Sequence, residues 1–137
     1  MIVVADTNAI VRAVFTEDDP KQSKAVLEIL KVADAVVVPL VAFCEAVWVF
    51  KSVYNFAKKD IAEMLRLILD VSNVIADSDA VQAGLQMLEE GGDFEDGVIQ
   101  YTGFQKAGKS AVFVSFDKKA VQKFTRRGIA TIIPGLA

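Results

Sequence analysis

Short apolar segments rich in valine and isoleucine alternate along this chain with longer segments whose apolar residues recur at helical spacing. Four of the apolar segments, at positions 1–5, 35–38, 72–76 and 111–115, are typical of buried strands. The segment IATII, just before Pro134, is typical of an edge strand. Strands separated by helices in this order predict an α/β domain, in which a mainly parallel central sheet is covered by helices on both faces.

Local signals also predict where the helices begin and end. Asp19 is the expected N-cap of one helix, with Pro20 at its first position and Gln22 completing a capping box. A short helix or a turn is expected over 7–15. The other expected helices run from Pro39 to about Asn55, over 58–70, from a Ser78 cap to Gly91-Gly92, over 93–108, and from Asp117 to Gly128.

The composition indicates one domain, residues 1–137, because a chain of 137 residues that is 53% hydrophobic can bury a substantial core. No apolar run approaches the about 20 residues that span a bilayer, so no membrane segment is expected. No basic leader precedes the first strand, so no signal peptide is expected. The single cysteine, Cys44, excludes an internal disulfide and suits a reducing cytosol, which predicts a cytoplasmic protein.

Histidine is absent from the sequence, and its absence excludes several kinds of active site. Histidine general bases, Ser-His-Asp triads and histidine-containing zinc sites all need it, and one cysteine cannot form a thiolate zinc site. Hydrolytic chemistry must therefore use carboxylates, lysines or hard metal ions bound by oxygen, such as Mg²⁺ or Mn²⁺.

Two aspartates follow predicted strands, Asp6 after IVVA and Asp117 after VFVSF. In open parallel sheets the functional crevice lies at the carboxyl ends of the strands, so both carboxylates are expected at one edge of the sheet. Each residue also suits the N-cap of the helix that follows it, and capping stays open as an alternative for both.

Three further acids lie on predicted helices. Glu45 has apolar residues one turn before and one turn after it, so its carboxylate is expected to be buried or nearly so. Asp93 and Asp96 stand three residues apart, where they repel each other unless a cation lies between them. Asp93 could instead cap its helix. A converging group of carboxylates stays ionised when divalent cations neutralise it, so the acids together predict a metal site.

Four segments, in order, resemble the motifs of PIN-domain nucleases: VVADTNAI, VPLVAFCEAVWVF, DFEDGVIQYTG and VFVSFDKKA. The resemblance spans essentially the whole chain and is closest to the VapC/FitB-type toxins of bacterial toxin–antitoxin pairs. It implies a compact three-layer α/β/α fold and metal-dependent cleavage of RNA.

The resemblance also assigns residues. The acidic quartet of the family corresponds to Asp6, Glu45, Asp96 and Asp117, Asp93 matches an auxiliary acid, and Asn8 and Ser115 match supporting polar positions near the metal.

The third motif departs from the family pattern, in which small residues such as alanine usually follow the aspartate. This chain has Gly97, Gln100 and Gly103 there, so the two glycines are expected to weaken the helix by up to about 1 kcal/mol each. Gln100 is a further polar candidate for the site.

Together these residues favour a Mg²⁺- or Mn²⁺-dependent endoribonuclease. Asp6, Asp96 and Asp117 would hold the principal metal, with Glu45 contributing to it or to a second. The metal would lower the pKa of a bound water and stabilise charge in the transition state. Two alternatives stay open. One is an aspartate-based phosphatase or phosphoacceptor domain with Asp6 as nucleophile, and the other is a catalytically inactive PIN-like binding module.

The resemblance implies a two-fold homodimer and a cognate antitoxin, which covers an apolar groove and presents a basic residue to the acids. DNA would be contacted only through the antitoxin. Candidate apolar contact residues for such partners are Trp48, Phe50, Val53, Tyr54 and Phe56, with burial in the core as the alternative.

The net charge of -3 conceals a basic C-terminal quarter, because residues 101–137 carry seven basic residues and a single acid. Lys118 and Lys119 lie on the first turn of the last predicted helix, and Arg126 and Arg127 lie about two turns further on. These four residues predict a path for the RNA backbone, with a solvated helix face as the alternative.

Overall fold

The computed structural model describes residues 1–136, which form seven helices and five short strands. Ala137, the last residue of the predicted domain, lies outside the described residues. The strands are β1 (Ile2–Val4), β2 (Ala35–Val37), β3 (Val74–Ile75), β4 (Phe113–Val114) and β5 (Thr131–Ile132). The helices are α1 (Thr7–Val14), α2 (Pro20–Val32), α3 (Leu40–Ser52), α4 (Lys58–Leu69), α5 (Ser78–Glu89), α6 (Phe94–Ala107) and α7 (Lys118–Arg126).

Every strand pair within residues 1–136 is parallel, as the alternation of strands and helices predicts. β2 lies between β1 and β3, and Val36 is paired with both Val3 and Val74, whereas β4 pairs with β5. The predicted single central sheet is therefore observed as two hydrogen-bonded parallel units. The physical reason is strand length, since strands of two or three residues form only short ladders. Helices cover both faces of the strand layer, which gives the predicted three-layer α/β/α arrangement.

The start of α2 follows its sequence signals in part. The helix begins at Pro20, and the Asp19 side chain accepts a hydrogen bond from the backbone N–H of Gln22 at 3.0 Å. The predicted capping box is only half formed, because the side-chain oxygen Oε1 of Gln22 accepts a hydrogen bond from Arg12 Nε at 2.8 Å and not from the backbone of Asp19. One side chain of the pair thus caps the helix and the other ties α2 to α1.

Two other helix boundaries differ from the prediction. Asp77 rather than Ser78 occupies the N-cap of α5, because the helix takes in Ser78 as its first residue. α3 ends at Ser52, short of Asn55, where a positive φ of 57° is incompatible with continuing the helix. Gly91, with a φ of 87°, follows the end of α5 as predicted.

The core lies between the strand layer and the helices. Its largest fully buried side chains include Phe43, Phe50, Phe94, Phe124, Ile61, Leu65, Leu85, Met87 and Leu88. None of the helices in the described residues combines the length and the apolar character needed to cross a membrane.

The apolar residues that follow Glu45 divide between core and surface. Tyr54 and Phe56 are half-buried and pack edge-on against Phe15, with ring centroids 4.9 and 5.0 Å from the Phe15 centroid. Trp48 and Val53 are each 61% exposed. The core alternative therefore holds for the first pair, and the second pair is available to a partner.

α5 and the first half of α6 approach each other closely, because glycine occupies two contact positions. A Cβ at Gly84 would lie 2.5 Å from the Phe94 ring, and a Cβ at Gly97 would lie 2.3 Å from the carbonyl oxygen of Ala83. The sequence predicts that Gly97 and Gly103 only weaken α6. Gly103 has open space around it, so its effect on α6 stays a prediction, but Gly97 allows the two helices to pack. This packing fixes the end of α6 that carries the acids.

Candidate metal centre

Asp117 lies between β4 and α7 and is held by the local backbone. Its N–H donates to Ser115 Oγ at 2.9 Å, and its Oδ1 accepts from the N–H groups of Lys119 and Ala120 at 2.9 and 3.2 Å. The capping alternative for Asp117 is therefore confirmed, and Ser115 supports the turn. Both cap bonds use Oδ1, so capping does not require the second carboxylate oxygen.

Asp93 and Asp96 lie at the start of α6. Asp93 occupies the N-cap position, but its side chain makes no capping hydrogen bond. Its carbonyl oxygen accepts from the N–H of Asp96 at 3.1 Å, which closes the first turn. The capping alternative for the Asp93 side chain is thus wrong, and its carboxylate is available to other groups.

The structure brings Asp93, Asp96 and Asp117 together, with ligand oxygens that all lie within 4.8 Å of one another. Oxygen atoms bound to one Mg²⁺ or Ca²⁺ lie about 2.0–2.6 Å from the ion, so two such oxygens are at most about 5.2 Å apart. The separations within the group are below this limit. Carboxylate oxygens are also the donors that hard divalent cations prefer. The three side chains, which we call the acidic triad, therefore fit a divalent cation.

The electrostatics of the triad show why a cation would stabilise it. Partial burial raises the pKa of Asp96, and the negative charges of Asp93, Asp117 and Glu95 raise it further. Ionisation of Asp96 is thus opposed by its surroundings in the absence of a counter-charge. A divalent cation within the triad would favour the ionised carboxylate.

Asp6 lies outside the acidic triad. It is exposed after β1, and its Oδ1 accepts from the N–H of Ala9 at 3.0 Å, so it caps α1 as the alternative interpretation has it. Asp6 is not a member of the group whose oxygens lie within 4.8 Å of one another, which within residues 1–136 consists of the triad. Its role in metal binding stays a prediction.

Glu45 is exposed, so the expectation that its carboxylate is buried is wrong. The reason is that the apolar residues around it on α3 are only partly buried, since Val41 and Trp48 are each 61% exposed although Ala42 is buried. Thr7 Oγ1 donates a hydrogen bond of 3.3 Å to Glu45 Oε2, which holds the carboxylate next to the start of α1. Thr7 is a functional candidate that the sequence did not single out, although it directly follows Asp6.

The thiol of Cys44, on α3, senses acids of two helices. Burial raises its pKa, and the charges of Glu95 on α6 and of the adjacent Glu45 raise it further.

Two other predicted polar residues, Gln100 and Asn8, lie on α6 and α1, and their roles at the site stay predictions. Gln100 Oε1 accepts from Arg127 Nη1 at 2.6 Å, and Arg127 also forms an ion pair with Glu90. The prediction that Gln100 contributes to the metal site gains no support from this geometry. Asn8 is exposed on the first turn of α1.

Two lysines that no sequence motif indicates lie next to the triad. Lys51 Nζ is 3.5 Å and Lys58 Nζ is 3.8 Å from Asp93 Oδ1. Their distance from Asp93 along the chain explains why no local pattern indicates the contact. Two further lysines, Lys118 and Lys119, directly follow the triad residue Asp117 in the sequence and are exposed.

Fold and site together define an α/β protein with a cluster of carboxylates that fits a divalent cation. A sequence model described as the PIN domain matches residues 3–124, so the chain belongs to the PIN-domain family. PIN domains are typically nucleases and generally bind divalent metal ions, in agreement with the acidic triad. A comparison with curated proteins gave no significant match.

Proposed function

We propose that this PIN domain is a Mg²⁺- or Mn²⁺-dependent endoribonuclease. The observation that carries the proposal is the acidic triad, three carboxylates whose oxygens lie within 4.8 Å of one another in a chain without histidine. Phosphodiester hydrolysis needs an activated water and a counter-charge for the phosphoryl oxygens, and a divalent cation supplies both.

The chain's own residues would divide the work of holding the cation and ordering the site. Asp93, Asp96 and Asp117 are the ligands, and Ser115 orients Asp117 through its backbone N–H. Glu45, which accepts a hydrogen bond from Thr7, is a candidate for a second ion or for the shell of water around the first.

RNA reaches the site along a basic surface in this proposal. Lys118, Lys119 and Arg126 are exposed on α7, whose N-cap is the ligand Asp117. Arg127 is already engaged by Glu90 and Gln100, so it contributes less to this path than the sequence predicts. Single-stranded or loop RNA is the expected substrate, because its phosphates can be brought up to a site flanked by helices.

An RNA-cleavage assay with a Mn²⁺ titration tests the proposal. Asp96→Asn keeps the shape of the side chain and removes a ligand charge, so it should lower the rate by about 100-fold or more. Asp77→Asn makes the same change at an exposed helix start outside the triad and should leave the rate unchanged. An Asp96→Asn variant with the wild-type rate at saturating Mn²⁺ would overturn the assignment.

We also infer that the protein is the toxin of a type II toxin–antitoxin pair and acts in the cytoplasm on RNA. An apolar cavity of about 410 Å³ lies among α1, α2, α4 and the strands, and supports this inference. Leu27, Leu67 and Val71 at this cavity are 42%, 61% and 49% exposed. An amphipathic helix of an antitoxin would bury these side chains, and DNA would be contacted only through that partner.

A homodimer is the expected assembly of this toxin. Val41, Trp48 and Val53 are each 61% exposed on or just after α3, and large apolar side chains favour burial between two copies. A monomeric mass by light scattering at micromolar concentration would contradict this part of the proposal.

A further inference from the structure

Two ammonium groups from different helices converge on one oxygen of the acidic triad. Lys51, in the last turn of α3, and Lys58, the first residue of α4, lie 3.5 and 3.8 Å from Asp93 Oδ1. Lys58 Nζ also donates to the carbonyl oxygen of Gly91 at 2.8 Å. The pair is therefore fixed beside Asp93 by contacts that hold both ends of the α3–α4 connection.

Apart from the hydrogen bond to the Gly91 carbonyl oxygen, little in the stability of the fold accounts for Lys58. A cation at the N-terminus of a helix is unfavourable because it adds to the positive end of the helix dipole. Its ion pair with Asp93 joins side chains that are 31% and 52% exposed, and such pairs contribute little to stability. Lys51, near the C-terminal end of α3, agrees with the dipole, but its contact with Asp93 is also exposed.

The two lysines offset negative charge that a phosphate would otherwise meet. Three triad carboxylates and one divalent cation leave one negative charge, to which Glu95 adds another, and these charges repel a phosphodiester. The two ammonium groups bring the sum of these charges to zero. The Lys51–Lys58 pair thus makes a cation-loaded triad receptive to RNA.

We propose that Lys51 and Lys58 bind a backbone phosphate of the RNA beside the triad and position the chain for cleavage. This inference rests on the proposed nuclease function and names a part of its substrate site. The lysines lie on the Asp93 side of the triad, whereas Lys118 and Lys119 lie next to Asp117. The RNA backbone would then be held on both sides of the cation, and the two lysines are positioning residues.

The test is the salt dependence of RNA binding by the full chain. A short fluorescein-labelled single-stranded RNA is titrated by anisotropy in Ca²⁺, over a series of salt concentrations, with gel analysis to verify that the RNA stays intact. The Lys51→Gln/Lys58→Gln variant should bind about tenfold more weakly or worse. Its log–log salt slope should fall by about 1.4, for two phosphate charges at about 0.7 each on a single strand.

Two further measurements separate this role from a structural one. Mn²⁺ affinity by titration calorimetry should rise in the double variant, because two cations next to the carboxylates have been removed. Lys21→Gln/Lys59→Gln removes the same charge from exposed positions on α2 and α4 and should leave the salt slope unchanged.

The possible failures are distinguishable. If the wild type binds RNA and the Lys51→Gln/Lys58→Gln variant keeps its slope, the positioning role is wrong while the nuclease proposal stands. If both double variants lose the same slope, the effect is one of total charge and the inference is also overturned. If the wild type binds no RNA in the presence of cation, the proposed function itself fails.

Discussion

Replacing Gly97 with alanine tests whether the α5–α6 contact positions the metal centre. An added Cβ would lie 2.3 Å from the Ala83 carbonyl oxygen, 2.8 Å from its carbonyl carbon and 2.9 Å from Gly84 Cα. All three atoms belong to the α5 backbone, so no flexible side chain can move aside. The two helices must separate, and the first turn of α6, which carries Asp96, must move with them.

The magnitude follows from two opposing effects. Overpacking of this kind costs about 1–3 kcal/mol, and alanine recovers about 1 kcal/mol through its better helix propensity. We therefore expect Gly97→Ala to destabilise the protein by up to about 2 kcal/mol, which lowers the melting temperature by up to about 8 °C at this chain length. Gly103→Ala meets open space in the same helix and should gain up to about 1 kcal/mol.

Thermal unfolding and Mn²⁺ calorimetry of both variants measure these effects. Gly97→Ala should melt below the wild type and bind Mn²⁺ more weakly, because Asp96 is displaced from Asp93 and Asp117. Gly103→Ala should melt above the wild type with unchanged Mn²⁺ affinity. If Gly97→Ala stabilises as much as Gly103→Ala, the close helix contact does not exist as described and the reasoning is refuted.

Three further predictions follow from the site and its surroundings. Because the pKa of Asp96 is raised in the folded protein, its ionisation opposes folding, and stability falls as the pH rises through that pKa. In EDTA, Asp96→Asn should thus melt above the wild type at pH 7, with a difference that shrinks toward pH 3; an equal difference at both values would contradict the shift. Replacing Lys118 and Lys119 with glutamine should weaken RNA binding and flatten its salt slope, while Mn²⁺ affinity changes by no more than a few-fold. An unchanged salt slope would show that the two lysines lie on a solvated helix face and do not contact the RNA. Leu67→Asp should prevent co-purification of a co-expressed antitoxin without lowering the melting temperature, because Leu67 is exposed, and retained binding would exclude this groove.

The elements of the fold and part of the site follow from local sequence patterns. A strand, an aspartate and a helix with a basic first turn place Asp117 at its observed position, and the Asp93–Asp96 spacing places both acids on the first turn of α6. These signals act within a few residues of the side chain concerned. The same locality makes the caps of α1 and α2 predictable, since each involves a donor three residues after the aspartate.

The remaining features depend on contacts between distant segments. Glu45 lies among apolar residues on α3, and apolar residues on several faces of one helix do not reveal which face meets solvent. The approach of Lys51 and Lys58 to Asp93 joins three helices. Gly97 is a weak helix former by propensity, and only the position of α5 shows that its missing side chain is needed. Tertiary packing decided each of these outcomes.

The most direct test of the central claim is an anomalous difference map from crystals grown with Mn²⁺. We expect a peak within about 2.0–2.6 Å of carboxylate oxygens from Asp93, Asp96 and Asp117. The peak should be lost in Asp96→Asn crystals and kept in Asp77→Asn crystals. A peak bound by other residues, or a wild-type triad without a peak at saturating Mn²⁺, would contradict the claim that these three carboxylates form the metal centre.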